Sequence, residues 1–392
     1  MNKTLLISFL ALVLLAGGVC AQNVPTAAAD EKRILTAKAF ELYQKGKLDD
    51  AIETAEKVVA LEKSSNQTGA NSYANALVNL ARMKRQRFLA LQNKARGAAP
   101  VSDRNDLRSK SLADIKDSEE LFREALRLNE ANGRGQTAQT ADIKSDLAWT
   151  ATNYTPVASN DAPSIANTRA RIDDAEKFFI ESLALNEQAR GRDADETLAV
   201  VLGMGNFYFK YDNYDKAVGF YERFLETAER THGKNYPDLI NALRPYAKIL
   251  RATFQDAEAA EAVKRIEEIT GKKEDAPKAD LSLHLRSKDS VAFNAPNFIR
   301  SNEEMRKLRE RLKAENKIIS RSDIESMLKL EQIPVRVTVD ETGKIVEAVA
   351  ETSDSKRREK AEREITKWTV RPFSYNGAAR KLRGYLIYTE VR

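Results

Sequence analysis

The sequence predicts a mainly α-helical chain, a stack of helix hairpins followed by a small α+β domain. Two observations carry this: a spaced motif that recurs along the first two thirds, and a switch from helical to strand periodicity after residue 332. Tyr214, Ala217, Tyr221 and Phe224 stand at offsets 0, 3, 7 and 10, and 42 residues later Asp256, Ala259, Val263 and Ile266 repeat the spacing. Leu48, Ala51, Ala55 and Val58 fill the same frame. Ser118, Phe122 and Ala125, then Ala175, Phe179 and Ser182, fill its last three places, so five units can be drawn. A small residue at offset 3 lets two antiparallel helices approach, and the larger residues after it fill the gap to the next pair. No such pair buries its own apolar face, so the units must stack.

The chain opens on an export signal. Lys3 supplies the positive start, Leu5 to Leu15 the apolar run, and Val19, Cys20 and Ala21 the small residues before a cut that releases Gln22 onward. The apolar stretch from Thr4 to Val19 is shorter than the ~20 residues that span a bilayer comfortably. The expected location is therefore periplasmic, with lipidation of Cys20 the membrane-associated alternative. Cys20 is the only cysteine, so cleavage leaves no disulfide, thiolate nucleophile or zinc-cysteine site.

Residues 31–270 hold the repeats. With Gly205, Tyr208, Tyr214, Ala217 and Tyr221 at its small and aromatic positions, the best unit resembles the tetratricopeptide repeat (TPR). The 42-residue period resembles the kinesin-light-chain-like variety, and Pro237 stands where a first helical turn would begin. The closing proline of the family is missing. The resemblance implies a scaffold that binds protein or peptide segments.

Residues 271–332 read as a charged linker, Gly271 to Lys278, followed by two short helices. Ser301 with Glu304 and Ser322 with Glu325 have capping-box spacing, and Met305, Leu308 and Leu312, then Ile324, Met327 and Leu328, give apolar stripes. From residue 333 the period is two. Ile333, Val335, Val337 and Val339 alternate with polar residues or Pro334, Glu341 to Lys344 turn the chain, and Ile345 to Ala350 return it. Ala361, Ile365 and Trp368 mark a helix that Pro372 stops, Asn376-Gly377 turns, and Leu382 to Val391 form a last strand.

The run Val335 to Val346, then Lys367 to Phe373, then Asn376-Gly377, resembles the C-terminal domain of TonB-type proteins. That family works in the periplasm and pairs an edge strand with a segment of an outer-membrane receptor. The resemblance implies β-augmentation at the last strand, with Leu382, Leu386 and Tyr388 as partner-binding residues, or a homodimer through that strand. A full energy transducer also needs a lasting membrane helix and a proline-rich spacer. This chain has 10 prolines in all, and repeats where the spacer would be.

Charged residues are 31% and aromatics 7% of the chain, which suits amphipathic helices with a solvated face. Residues 271–392 hold 27 Lys and Arg against 20 Asp and Glu. Because Lys356, Arg357 and Arg358 are interleaved with Glu359, Glu362 and Glu364 in an exported chain, this excess reads as a solvated helix face rather than a nucleic-acid site. No catalytic motif is present: the two histidines, His232 and His284, stand in unrelated contexts, and there is no phosphate loop or nucleophile elbow. No enzyme activity, cofactor or metal is expected. Trp149 and Trp368 read as core anchors.

The remaining candidate site is a partner-binding stripe. The first helices of the last two units should present Asn206 and Lys210, then Asn241, Arg244, Lys248 and Arg251, toward one groove. Asparagines beside cations suit an acidic peptide or a C-terminal carboxylate through charge-assisted hydrogen bonds. Ordinary solvated helix charges are the other reading of the same residues.

Overall fold

The computed structural model describes residues 27–64, 71–96, 101–153, 162–211, 213–275, 281–282, 307, 310, 330–370, 372–375 and 377–391. The expected export signal with Cys20, the two expected capping-box helices apart from residues 307 and 310, and His284 lie outside the described residues. The chain divides into two compact units, residues 1–157 with 170–200, and residues 158–169 with 201–392.

Among the described residues ten α-helices precede the sheet: α1 (Ala27–Gln44), α2 (Leu48–Ser64), α3 (Asn71–Arg96), α4 (Val101–Ala131), α5 (Ala138–Asn153), α6 (Ala162–Arg190), α7 (Asp195–Lys210), α8 (Tyr214–His232), α9 (Ile240–Ala252) and α10 (Asp256–Thr270). Each occurrence of the spaced motif falls on the second helix of a pair. In α2, α4, α6, α8 and α10, Ala51, Ser118, Ala175, Ala217 and Ala259 are fully buried at the small position. Phe122, Phe179 and Tyr221 are buried at the large position that follows.

In the first unit the serines report how closely the helices approach. Ser118 Oγ donates to the Ala81 carbonyl on α3 at 2.9 Å, and Ser182 Oγ donates to the Ala141 carbonyl on α5 at 2.7 Å. A side chain with one rotor reaches the facing backbone only where the two helices nearly touch. Tyr73, Leu77, Phe122, Leu126, Ile143 and Leu147 then make one core shared by α3, α4 and α5.

In the second unit the close approach rests on a glycine. A Cβ on Gly205 of α7 would lie 2.7 Å from Cε1 of Tyr221 on α8, so the tyrosine ring occupies the space a side chain would need. Asn213 caps α8 by accepting the Lys216 N–H at 3.5 Å, and the Gly233 N–H closes its C-terminus on the Glu229 carbonyl. Pro237 opens a 3-10 turn, Pro237–Leu239, that leads into α9, as its position in the sequence predicts.

A four-stranded sheet follows in the order β1 (Leu281–Ser282), β6 (Leu382–Val391), β2 (Leu330–Val339), β3 (Ile345–Ala350), with a separate hairpin of β4 (Phe373–Tyr375) and β5 (Ala378–Arg380). Helix α11 (Ser355–Ile365) packs its Ala361 and Ile365 inward, toward the face formed by Ile333, Val335, Val337, Val339, Leu386 and Tyr388. The helix ends at Ile365 rather than running on to Pro372: the Lys367 and Trp368 N–H groups bond the Glu364 and Ile365 carbonyls three residues back, a tightened last turn. Trp368 lies in the turn beyond it, 3% exposed, and is the core anchor its sequence setting suggests. Trp149 is not: it is half-buried, with the Arg85 guanidinium 4.9 Å over its ring.

The β2–β3 turn is tied to this core. Asp340 Oδ1 accepts from the Thr342 N–H, the Thr342 hydroxyl and the Lys344 N–H, which holds its carboxyl below the usual range. Gly343 has φ 87°, and a Cβ there would lie 1.9 Å from the Val370 carbonyl oxygen. Gly343→Ala should therefore destabilise the sheet by about 2 kcal/mol or more, since strained backbone and overpacking add. Chemical denaturation followed by Trp368 fluorescence measures it.

Candidate partner-binding surfaces

The first half of the last strand is not an edge. Strand β6 pairs antiparallel with β2 from Leu382 to Val391, and β1 pairs with it in parallel at Gly384 and Tyr385. Leu382, Leu386 and Tyr388 are at most 3% exposed. Alternation along β6 turns them onto the α11 face, so they build the core instead of meeting a partner. Sequence reading missed β1, although Leu281, Leu283 and Leu285 alternate with Ser282 and His284, a period of two that was there to be read. From Leu386 onward, no described strand pairs with the side of β6 away from β2.

The stripe residues lie on α7 and α9. Asn206, Lys210, Asn241, Arg244 and Lys248 are exposed, and Arg251 is half-buried. Their present engagements differ. Asn206 Oδ1 accepts the Tyr221 hydroxyl at 2.9 Å, which fixes the amide and leaves its NH2 to donate outward. Lys210 Nζ lies 5.8 Å over the Tyr211 ring.

Arg244 grips Glu274 through Nε at 2.8 Å and a terminal nitrogen at 3.0 Å. That bond holds the half-buried glutamate carboxyl below its ordinary range. Glu274 belongs to the stretch read as a linker, and its N–H is held in turn by Glu267 of α10. The start of the linker is thus fastened to the last repeat. Among the described residues no ion pair engages Lys248 or Arg251.

Sequence reading missed Pro245, which sits inside α9. A proline has no N–H, so the Asn241 carbonyl lacks its partner four residues on. The stripe therefore offers a bare backbone acceptor beside the Asn241 amide, a signal available from the one-letter sequence alone.

The first unit carries a different kind of surface. Arg82 Nε and Arg85 of α3 bond the two oxygens of Asp146 on α5 at 2.8 and 2.6 Å, while Arg190 forks onto Asp142 at 2.9 and 2.8 Å. Burial raises the Asp146 carboxyl, but the two guanidiniums outweigh it and hold the group below the carboxylate range. At Asp142 burial wins over Arg190 and the carboxyl stays raised. The Asp146 pairs fasten α3 to α5 of the next repeat, and the Asp142 pair fastens α6 to α5 within one hairpin.

With the geometry in place, the comparisons fit a specific part of the chain. Residues 197–271 match the tetratricopeptide repeat family. The match covers α7 to α10, where the stripe lies. No curated protein matches the chain. Solved structures to which the chain is similar include the nearly identical TPR-like repeats of a kinesin light chain from Podosopora anserina, at 16% identity and TM-score 0.44, covering 62% of this chain and 98% of that one. Another is BtubC (BKLC) from P. vanneervenii, at 16% identity and TM-score 0.36, covering 66% and 98%. Among the described residues no group of three metal-ligating side chains occurs, and no helix is long and apolar enough to cross a membrane.

Asp146 makes the first unit sensitive to acid. A carboxyl depressed in the folded state contributes stability that is present above its unfolded pKa of about 3.9 and is lost as pH falls through the lower folded value. Thermal unfolding of Asp146→Asn should start from a lower midpoint at neutral pH and lose less between about pH 5 and pH 2 than the parent. Asp142 shifts the opposite way, and the Asp146 charge is one of the causes that raise it, so Asp142→Asn and the double variant are measured beside Asp146→Asn to separate the two carboxyls.

Proposed function

We propose that this chain is an exported, non-catalytic protein-interaction scaffold of the cell envelope, whose last two repeats grip an acidic peptide segment or a C-terminal carboxylate. The observation that carries the proposal is the bidentate hold of Arg244 on Glu274. The stripe already binds a carboxylate in cis, in the fork geometry that selects carboxylates over other acceptors. Lys248 and Arg251 lie one and two turns further along α9, the Asn206 amide is pre-oriented by Tyr221, and Pro245 leaves a carbonyl for a peptide N–H. An incoming acidic segment would take the place of Glu274 and extend onto the two lysine and arginine positions.

The sheet domain takes the second role in this proposal. Its strand, strand, helix and closing strand order, with Trp368 in the core, supports the TonB-like reading. Partner capture would then use the backbone of β6 beyond Leu386, with an outer-membrane receptor segment or a second copy as the added strand. The export signal supports a periplasmic site of action. Mass spectrometry of the mature N-terminus reads it directly: Gln22 is the expected first residue, and retention of Met1 would remove the export part of the proposal.

Binding is tested with a fluorescein-labelled oligoglutamate peptide with a free C-terminus, followed by anisotropy. Lys248→Glu with Arg251→Glu should weaken binding by roughly tenfold or more, the scale of lost charge-assisted hydrogen bonds. Glu274→Ala should strengthen it by removing the internal competitor, and added salt should weaken the parent. Equal affinity for all three proteins would discard the stripe as the site.

A further inference from the structure

The sheet domain touches the last two repeats through a set of contacts that partner binding does not require. Strand β4 lies on α8. Phe373 packs its ring against Tyr214 with centroids 6.2 Å apart, and both rings are buried. Ser374 Oγ donates to Asp215 at 2.6 Å. Tyr375 donates its hydroxyl to Glu222 Oε1 at 2.9 Å, and Tyr246 of α9 donates to the same oxygen at the same distance. On the other side of the domain, the Arg383 guanidinium of β6 sits 3.7 Å over the Phe254 ring in the α9–α10 turn, and reaches Asp256 at 3.9 Å.

Three features mark these contacts as a built site. Asp215 and Glu222 are seven residues apart on α8, so they lie two turns apart on one stripe, on the side turned away from Ala217 and Tyr221. Tyr214 and Asp256 hold the same place in the repeat frame, the first residue of the second helix, and both are used by the sheet: one by Phe373, the other by Arg383. Phe254 has φ 63°, a left-handed conformation that a phenylalanine rarely adopts. It is 40% exposed, so no core packing holds it there. The turn that ends α9 sets this conformation, with the Gln255 N–H closing on the Leu250 carbonyl at 2.9 Å, and the ring it turns outward is the one that Arg383 covers.

We infer that α8 and α9 form a receptor for an extended segment presenting an aromatic ring, a hydroxyl and a phenol in succession, that Phe373-Ser374-Tyr375 of the same chain occupies it, and that the last two repeats and the sheet consequently open as one cooperative body. A carboxylate receiving two phenols is strong while it stays dry and weak once water enters. Burial raises the phenol of Tyr246 and that of Tyr375, so both stay protonated donors at neutral pH. A repeat array also needs a cap on its final pair, and the sheet supplies one here. The inference is independent of the carboxylate-binding proposal, since none of its residues belongs to the α7 and α9 stripe.

Hydrogen exchange of the full chain, read by mass spectrometry, tests it with one variant on each side. Glu222→Ala alters only the repeat side, yet exchange should rise roughly tenfold or more in β2, β3 and α11, none of which Glu222 touches. Phe373→Ala alters only the sheet side, yet exchange should rise comparably in α9 and α10. Acceleration confined to β4 and the facing turn of α8 in both variants would overturn the inference. Should either variant fail to fold, Tyr375→Phe removes one hydroxyl and keeps the ring, and the same distal segments are read.

Discussion

The close approach of the two helices within each hairpin is the constraint on which the rest of the structure depends. At Ala51, Ser118, Ala175, Ala217 and Ala259 the second helix offers almost no side chain, and each of these positions is fully buried. Only at that separation can the serine hydroxyls reach facing carbonyls or Tyr221 lie flat over Gly205 and bond Asn206. Dispersion and burial then act over long stretches of paired helix, each contact weak and the sum large. Functional chemistry inherits this geometry: the Asn206 amide is aimed by the same tyrosine that closes the hairpin.

Charge is distributed to suit. In the first unit the guanidiniums of Arg82 and Arg85 are spent on Asp146 of the next repeat and that of Arg190 on Asp142 of its own hairpin, where half-burial lets the pairs resist screening. In the second unit one arginine of the stripe holds a glutamate of its own chain, and two further cations have no ion-pair partner among the described residues. The sheet adds a third arrangement, a carboxylate shared by two phenols. Similar residue types therefore fasten repeats in one place, present a surface in another and seat a neighbouring domain in a third, according to how deeply each is covered.

Much of the helical fold was legible because its signal is periodic. The frame at offsets 0, 3, 7 and 10 located five second helices, and the period of two located β2, β3 and β6. The stripe was legible for the same reason, since helical spacing places Asn241, Arg244 and Lys248 on one side. What escaped was pairing. Nothing along the chain announces that Glu274 returns to Arg244, that Leu281 and Ser282 pair with β6, or that Leu382, Leu386 and Tyr388 face α11. Those facts depend on chain segments meeting across 30 residues or more, and a periodic pattern carries no information about its partner. The tyrosine–carboxylate cluster belongs to the same class. Pro245 is different, because a proline within an amphipathic helix could have been noticed and its consequence for Asn241 drawn.

The close-approach constraint is tested most directly by two glycines of one hairpin. Gly205 faces the Tyr221 ring, whereas a Cβ on Gly219 of α8 would meet nothing within 4 Å. Thermal unfolding of Gly205→Ala and Gly219→Ala in the full chain measures the contrast. The constraint predicts opposite signs: a loss of about 1–3 kcal/mol at Gly205 from overpacking, and a gain of about 0.5–1 kcal/mol at Gly219 from helix propensity. Stabilisation by both substitutions would show that the helices do not meet as closely as the structure has them, and would contradict the basis of the fold.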